Sequence, residues 1–212
     1  MLLITQEAAR IFRITHIENV AWILVHGLHC SSSDTHDPDF RRIGNEDLIR
    51  KRPSRRVPIP PGGNLGDYVP FCFTPRSPML YNIKTGWNGV PIVPMADIVI
   101  MVTSLRRLGE RGVPFVFADR HAYMVAARFS SDLSELDRID WDILRRSDFA
   151  KDPNDPGKLE RYQAEALVHL HLPVEELEEI ICCTDSRTAG LRQLAAETGV
   201  KISIMTRREC FF

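Results

Sequence analysis

The sequence predicts an α+β fold in one domain, because strand-like and helix-like segments follow one another in no regular order. The β–α–β rhythm that indicates a parallel, doubly wound sheet is missing, and the chain shows no internal repeat or low-complexity tract. With 212 residues, 44% of them hydrophobic, the chain can build a substantial core. We therefore expect a single domain over residues 1–212.

In the first half of the chain, short runs rich in β-branched and aromatic residues indicate strands, and apolar residues at helical spacing indicate helices. The expected elements are a strand from Ile11 to Ile17, a helix from Val20 to His26 capped by Gly27, a polar loop from Cys30 to Pro61, a strand from Val69 to Phe73 and a helical turn from Met79 to Ile83.

The same criteria apply to the second half. The expected elements are a strand from Ile98 to Val102, a helix from Ser104 to Gly109, a strand from Phe115 to Phe117, a charged loop from Ser130 to Asp155, a strand from Gln163 to Leu170, a short helix from Val174 to Ile180, a strand from Ile180 to Thr184, a helix from Ser186 capped by Gly199, and a last strand from Lys201 to Met205.

The overall charge of the chain does not indicate a particular kind of binding partner. The formal net charge is −1 and the pI is about 6.7, so binding to nucleic acid would need a local basic patch. One candidate patch lies between Arg41 and Arg56, where seven basic residues are opposed by Glu46 and Asp47. A solvated charged loop is the commoner explanation of such a run.

The five cysteines are odd in number and lack C-x-x-C spacing, which favours neither a disulfide framework nor a zinc site and fits a reducing cytoplasm. The pair His169 and His171 lacks further ligands, so we expect no metal. The sequence also has no Rossmann or P-loop glycine motif, and no apolar run of membrane-spanning length.

Two features are candidates for a site. The segment from Tyr68 to Tyr81 predicts a buried strand that runs into a proline-fixed turn, which would present Arg76 and Met79 at the strand end. Glu165 interrupts an apolar stretch, where it would share a strand face with Leu167. Such a carboxylate is either a solvated residue of a one-sided sheet or a site residue at the mouth of a cleft.

Four segments together resemble a known family. They are Ile14-Thr15-His16-Ile17-Glu18-Asn19, Ile43-Gly44-Asn45 leading to Arg52, the block from Tyr68 to Leu80, and Gln163-Ala164-Glu165. In order and spacing, from about Ile14 to the end of the chain, they resemble the DarT family of bacterial DNA ADP-ribosyltransferase toxins. The resemblance implies an ADP-ribosyltransferase (PARP-like) fold, in which a split mixed sheet of six or seven strands is flanked by helices.

The resemblance also implies an activity. A member of this family is a pentosyl-transferring enzyme that moves ADP-ribose from NAD, its co-substrate, to a base of single-stranded DNA, here thymine, and so blocks replication. It implies a macrodomain antitoxin of the DarG type, no metal, no membrane and a cytoplasmic location. Guanine, RNA or protein remain alternative acceptors. A non-enzymatic single-strand binder, with Phe71, Phe73 and Tyr81 as stacking surfaces, is an alternative of another class.

Roles follow from the resemblance position by position. Glu165 would be the catalytic glutamate. Arg52, on a loop of about residues 36–54 that covers NAD, would assist the removal of a proton from the acceptor base, with Arg55 and Arg56 as alternatives. The expected contacts to NAD are Thr15, His16, Ile17, Asn19, Gly27, Leu28, Arg52 and Phe73. The expected contacts to DNA are Arg76, Met79, Arg55 and Arg56, with a loop of about residues 121–165 that orders around the acceptor. Cys72 stands where the family usually has tyrosine.

Overall fold

A computed structural model describes residues 4–212 of the chain. The helices over that range are α1 (Val20–His26), α2 (Glu46–Lys51), α3 (Pro78–Thr85), α4 (Leu105–Glu110), α5 (Trp141–Arg146), α6 (Lys158–Tyr162) and α7 (Asp185–Thr198). The strands are β1 (Arg10–His16), β2 (Leu28–His29), β3 (Tyr68–Cys72), β4 (Ile98–Ser104), β5 (Phe115–Ala118), β6 (Phe129–Ser130), β7 (Glu165–His169), β8 (His171–Leu172), β9 (Glu179–Cys182) and β10 (Ser203–Thr206).

Most of the strands belong to one mixed sheet, in the order β10-β9-β4-β1-β3-β7-β5-β6, while β2 and β8 pair separately. The strand β10 runs parallel to β9, and the other neighbours are antiparallel. The two-residue edge strand β6 takes the sheet beyond the six or seven strands expected.

The sheet is divided between β1 and β3. Over residues 4–212, Phe12 opposite Cys72 is the single register pair that joins these two strands, whereas β1 and β4 stay paired from Arg10 to His16. One half-sheet is therefore β10-β9-β4-β1 and the other is β3-β7-β5-β6. The predicted α+β fold with a split mixed sheet is confirmed.

Apolar side chains pack on both faces of the sheet. One face carries the largest buried cluster, to which α1, α4, α5 and α7 contribute; representative members are Ile23, Leu105, Leu144, Leu191, Phe71 and Ala166. On the opposite face the two half-sheets are covered separately. The helix α3 and Phe211 cover Ile100 of β4, and the turn between Val57 and Leu65 covers Leu167 of β7. On this face each half-sheet therefore has its own hydrophobic cluster.

Most of the predicted elements are confirmed to within a few residues, but two predicted loops each contain a helix. The loop expected from Cys30 to Pro61 includes α2, because the Asn45 side chain accepts a hydrogen bond from the Leu48 N–H and caps a helix with no apolar periodicity. The loop expected from Ser130 to Asp155 includes α5, which Asp140 caps in the same way.

The helix expected from Val174 to Ile180 is wrong. Only one 3-10 turn forms there, Val174–Glu176. The chain then becomes extended, because the N–H of Glu178 donates to the carbonyl oxygen of Val102 and starts the pairing of β9 with β4. The strand pairing therefore overrides the local helical preference of the glutamates.

Candidate active site

Glu165 is the first residue of β7, in the half-sheet that starts with β3. Cys72 of β3 and Ala118 of β5 lie directly opposite it on the two sides. Along β7 the side chains alternate: Ala166 lies in the large core cluster, and Leu167 lies in the cluster of the other face. Glu165 shares the face of Leu167, as predicted, and its side chain is only 7% exposed.

Arg52 reaches this carboxylate from the end of α2. Its Nη1 donates to Oε1 of Glu165 at 2.9 Å and its Nη2 donates to Oε2 at 2.7 Å. This two-pronged geometry is the strongest that an arginine and a carboxylate form. The turn after Arg52 is held in place by close packing, because a Cβ added to Gly66 would lie 2.9 Å from Cβ of Pro53. The segment that carries α2 and Arg52 therefore meets the sheet at Glu165.

Two consecutive residues of the segment after β5 complete the surroundings of Glu165. The backbone N–H of Ala122 donates to Oε1 at 3.1 Å, and Nδ1 of His121 lies 3.4 Å from the same oxygen. A carboxylate has about four acceptor positions. Arg52 takes two and Ala122 a third, so within the described residues one position on Oε2 is left to accept a hydrogen bond from a ligand.

The environment keeps Glu165 ionised. Burial opposes its charge, but attraction by Arg52 and the donated hydrogen bonds outweigh burial, and the pKa of Glu165 lies below its ordinary value. For His121, burial is the largest influence and lowers the pKa, against the attraction of Glu165. Its Nδ1 accepts from the Tyr123 N–H at 3.2 Å, so Nδ1 carries no proton in this geometry. His121 is thus a neutral imidazole beside an anion near neutral pH.

Arg13 lies at the apex of the split, a position that the sequence did not single out. Its Nη1 donates to the carbonyl oxygen of Pro70 at 2.9 Å, which links β1 to β3 where their ladder has ended. Its Nε is buried with no hydrogen-bond partner among residues 4–212. Burial, and then the like charge of Arg52, lower the pKa of Arg13 to about 10, so it remains a cation at neutral pH. The candidate site therefore has two cations for its one carboxylate.

Cys72 is partly buried at the base of the site, opposite Glu165. Burial raises the pKa of its thiol to about 12, and the negative charge of Glu165 acts in the same direction. The thiol therefore stays protonated at neutral pH, which excludes it as a nucleophile.

The residues expected at the first strand lie together at the carboxyl end of β1. Thr15 and His16 are buried, and Ile17 begins the 3-10 turn that His16 caps through its Nδ1. Asn19 holds the following segment, because its amide nitrogen donates to the Arg41 carbonyl at 2.9 Å and its oxygen accepts from the Arg41 N–H at 2.8 Å. The same nitrogen donates to the Thr15 hydroxyl at 2.9 Å. Asn19 thus ties the segment before α2 to β1.

Gly27 ends α1 in a conformation that other residues do not adopt, with φ 75° and ψ −165°. The next residue, Leu28, pairs with Leu172 in the small β2–β8 sheet. A Cβ at Gly27 would lie 2.4 Å from the Leu172 carbonyl oxygen and 2.5 Å from Nε2 of His171. Only glycine therefore allows the end of α1 to lie so close to β8.

This geometry gives a stability prediction for Gly27→Ala. We expect the melting temperature to fall by about 5 °C or more, because the backbone strain of about 1–3 kcal/mol is added to a backbone clash. Gly190→Ala is the matched control, since Gly190 lies in the exposed interior of α7 with no atom within 4 Å of an added Cβ. That variant should be as stable as the parent or more stable. Thermal unfolding followed by circular dichroism measures both, and an unchanged melting temperature in Gly27→Ala would contradict the assigned backbone conformation.

The other expected contacts are distributed between core and surface. Phe73 is fully buried and packs edge-on against Trp141 at 5.4 Å, so its ring is a core residue and is not brought into the cleft. Arg76 lies in the turn after β3, with its guanidinium carbon 4.6 Å from the ring centre of Phe212. Met79, in the first turn of α3, packs its thioether against Gly44. Arg76 and Met79 are both partly exposed beside this turn, and their contacts to DNA stay a prediction.

The arginine patch is partly neutralised. Arg41 pairs with Glu18 at 2.8 Å, and Arg52 is taken up by Glu165. Arg55 donates to the Met124 carbonyl at 3.3 Å, and the exposed Arg56 bridges through its backbone to Asn64. Of the three candidate arginines, the structure therefore brings only Arg52 to the carboxylate.

The described residues contain neither a metal-binding cluster nor a membrane-spanning helix. In residues 4–212, no group of three or more histidine, cysteine, aspartate or glutamate side chains is arranged to hold a metal ion. Over the same range, no helix has both the length and the apolar character needed to cross a membrane.

Sequence reasoning missed Arg13, His121 and Ala122 as neighbours of the site. The N–H of Ala122 carries no sequence signal, since any residue except proline supplies one. His121 follows a predicted strand, and that strand-end position was the available signal. Arg13 stands in an apolar strand between Phe12 and Ile14, so a charge inside a buried run was a signal of the same kind as that of Glu165.

Comparison with known proteins gives consistent findings. Residues 12–212 match the family model described as "ssDNA thymidine ADP-ribosyltransferase, DarT". The chain is 45% identical over 206 residues to a DNA ADP-ribosyl transferase of Escherichia coli O127:H6, with 97% of this chain and 94% of the relative covered.

Two solved structures of a Thermus sp. 2.9 protein are similar over 97% of this chain at 33% identity. The DarT complex with ADP-ribosylated single-stranded DNA has a TM-score of 0.89, with 97% of its chain covered. The complex with NAD+ has a TM-score of 0.82, with 98% of its chain covered.

Proposed function

Because the chain belongs to the DarT family of single-stranded DNA thymidine ADP-ribosyltransferases, we propose that its residues Glu165 and Arg52 carry out transfer of ADP-ribose from NAD+ to thymine. The family activity establishes the reaction and the co-substrate. The observation that supports these roles is the buried, ionised Glu165, which is held by donors on three of its acceptor positions and keeps one free. The binding-only alternative offers no reason for such an arrangement.

The chemistry requires a fixed negative charge. The bond between the nicotinamide nitrogen and the anomeric carbon of its ribose breaks, and positive charge develops on that ribose as neutral nicotinamide leaves. The free acceptor position on Oε2 of Glu165 would take a hydrogen bond from a ribose hydroxyl, and its charge would stabilise the oxocarbenium-like state. Because Arg52 and Ala122 already hold the carboxylate, little reorganisation is needed when the charge develops.

The acceptor atom on thymine follows from the structure of the base. In a nucleoside, thymine has one ring N–H, at N3, so the new bond forms between that nitrogen and the anomeric carbon while the N3 proton is lost to solvent. The guanidinium of Arg52 is too weak an acid to act as a free base at neutral pH. Its contribution would be electrostatic, since its charge favours the thymine anion that develops as the proton leaves. Arg13 would add to the same positive field.

The remaining expectations form part of this proposal. Residues 1–212 would act as one catalytic domain, with residues 36–54 covering NAD and residues 121–165 ordering around the acceptor. Thr15, His16, Ile17, Gly27 and Leu28 would line the NAD cleft, and Asn19 would anchor the covering segment through Arg41. In the cytoplasm the chain would act as a toxin that blocks replication until a macrodomain antitoxin of the DarG type removes the modification. This part rests on the motifs shared with the family.

The test uses intact mass spectrometry of oligonucleotides incubated with the protein and NAD+. We expect a mass gain of one ADP-ribose on a single-stranded oligonucleotide that contains one thymine. The matched oligonucleotide with N3-methylthymine should stay unmodified, because the reacting nitrogen is blocked. Modification of the N3-methylated oligonucleotide, or of a thymine-free one that contains guanine, would contradict the assigned acceptor atom.

A further inference from the structure

We propose that Tyr81, Phe149, Phe212 and Arg76 form a stacking subsite for a nucleobase that flanks the modified thymine. We call these four residues the aromatic shelf. The inference rests on the proposed function, because it assumes that a single DNA strand lies over the site.

The three rings of the shelf form a closed triangle. The ring centres are 5.4 Å apart for Tyr81 and Phe212, 5.7 Å for Tyr81 and Phe149, and 5.9 Å for Phe149 and Phe212. Each pair meets edge to face, with interplanar angles between 66° and 82°. The rings come from α3, from the segment after α5 and from the residues beyond β10. Three distant parts of the chain thus converge on one aromatic surface.

This surface is accessible, unlike the aromatic core. Tyr81 is 38% exposed, and Phe149 and Phe212 are partly exposed, whereas Phe71 and Phe117 on the sheet are buried. Aromatic side chains exposed as a group are unusual on a protein without a partner at that place. Unpaired bases of single-stranded nucleic acid are the partners that stack on such rings, because every base has a flat π-face.

Arg76 supplies the charge that a nucleic acid requires. Its guanidinium carbon lies 4.6 Å from the ring centre of Phe212, a cation–π distance. Its Nε is buried without a hydrogen-bond partner, and within residues 4–212 it forms no ion pair. An uncompensated cation packed on an exposed aromatic surface suits a phosphate next to a stacked base.

The shelf is connected directly to the candidate active site through Tyr162. The Tyr162 hydroxyl donates to the carbonyl oxygen of Arg76 at 2.9 Å, and its ring centre lies 5.2 Å from that of Phe149. Tyr162 precedes Glu165 by three residues and ends α6. The shelf therefore lies beside the segment that delivers Glu165, where a strand with its thymine at that carboxylate would continue.

The test is a double-mutant cycle between protein and DNA. Binding of a fluorescent single-stranded oligonucleotide with one thymine is measured by anisotropy without NAD+, while each flanking base in turn is replaced by an abasic residue. For the parent protein, one flanking position should weaken binding about tenfold when its base is removed, the loss typical of a base stacked on an aromatic ring. Tyr81→Ala should bind the intact oligonucleotide about tenfold more weakly. It should also show no further loss at that abasic position.

Three comparisons keep the outcome decisive. Tyr81→Phe should bind as the parent does, because it keeps the ring. Trp87→Ala removes an aromatic side chain that is 61% exposed outside the shelf, and should change nothing. Transfer by the parent protein at saturating oligonucleotide is the third: a parent that binds the oligonucleotide but yields no adduct would overturn the proposed function, and the binding cycle would still test the shelf. If the abasic and Tyr81→Ala losses simply add at every position, the shelf does not bind a base.

Discussion

Replacing Glu165 by glutamine should reduce ADP-ribose transfer by about 100-fold to 1,000-fold or more, the usual cost of losing one fixed electrostatic contact in a transition state. Glutamine keeps the size of the side chain and can still accept hydrogen bonds from Arg52 and Ala122. It cannot supply the negative charge that the oxocarbenium-like ribose needs. The rate of mass gain on a thymine-containing oligonucleotide, at saturating NAD+, measures the effect.

Glu179→Gln is the matched control for this prediction. Glu179 is also buried on a strand of the main sheet and accepts a hydrogen bond from an arginine, Arg207, at 3.1 Å. Each change leaves an arginine without its carboxylate, which costs up to about 3–5 kcal/mol of folding free energy for a buried pair. Thermal unfolding should show comparable losses in the two variants, while only Glu165→Gln loses transfer. Equal transfer rates in the two variants would remove Glu165 from the mechanism.

Replacing Arg52 by glutamine should lower transfer by about 100-fold and should also move its dependence on pH. In the parent protein the pKa of Glu165 lies below its ordinary value. Activity, and the stability that the ion pair provides, should therefore persist above the ordinary carboxyl pKa and decline only as pH falls through the lowered value. Without Arg52 the carboxyl stays buried but loses its counter-charge, so its pKa rises. The acid limb of the pH–rate profile should then shift to higher pH.

Arg55→Gln distinguishes this effect from a general loss of positive charge. Arg55 lies three residues from Arg52 and donates to the Met124 carbonyl, away from Glu165. We expect this variant to keep the acid limb of the parent, even if weaker DNA binding raises the oligonucleotide concentration needed for half-maximal rate. Single-turnover rates show the difference when they are measured from about pH 2.5 to about pH 8.5, roughly two units below the ordinary glutamate pKa and roughly two units above the ordinary histidine pKa. An acid limb that shifts in Arg55→Gln and not in Arg52→Gln would show that Arg55, and not Arg52, is the partner of Glu165.

The fold and the carboxylate of the site could be predicted because they depend on local patterns. Strands such as Ile98–Ser104 consist mostly of β-branched residues and are buried on both faces. Glu165 could be placed on the face of Leu167 from alternation alone. The block from Tyr68 to Leu80 combines strand, proline turn and helix start in one stretch, which is why it carried the family resemblance.

The remaining features depend on contacts between distant parts of the chain. The choice among Arg52, Arg55 and Arg56 required the orientation of α2, a charged helix that is fixed by the Asn45 cap and shows no apolar stripe. Phe73 was expected at the cofactor from the family resemblance, but its ring packs against Trp141, which is far away in sequence. The convergence of Tyr81, Phe149 and Phe212 likewise has no signal in the order of residues.

The single register pair between β1 and β3 has a mechanical consequence. Phe12 opposite Cys72, together with the Arg13 contact to Pro70, joins two plates of sheet that otherwise meet through the core packed on one face. Few backbone hydrogen bonds therefore oppose a change of angle between the plates along this line. Each plate remains stiff, because its own strands are fully laddered. A change of angle along this line would therefore alter the gap between the plates, while Glu165 and Cys72, which pair within one plate, would keep their positions relative to each other.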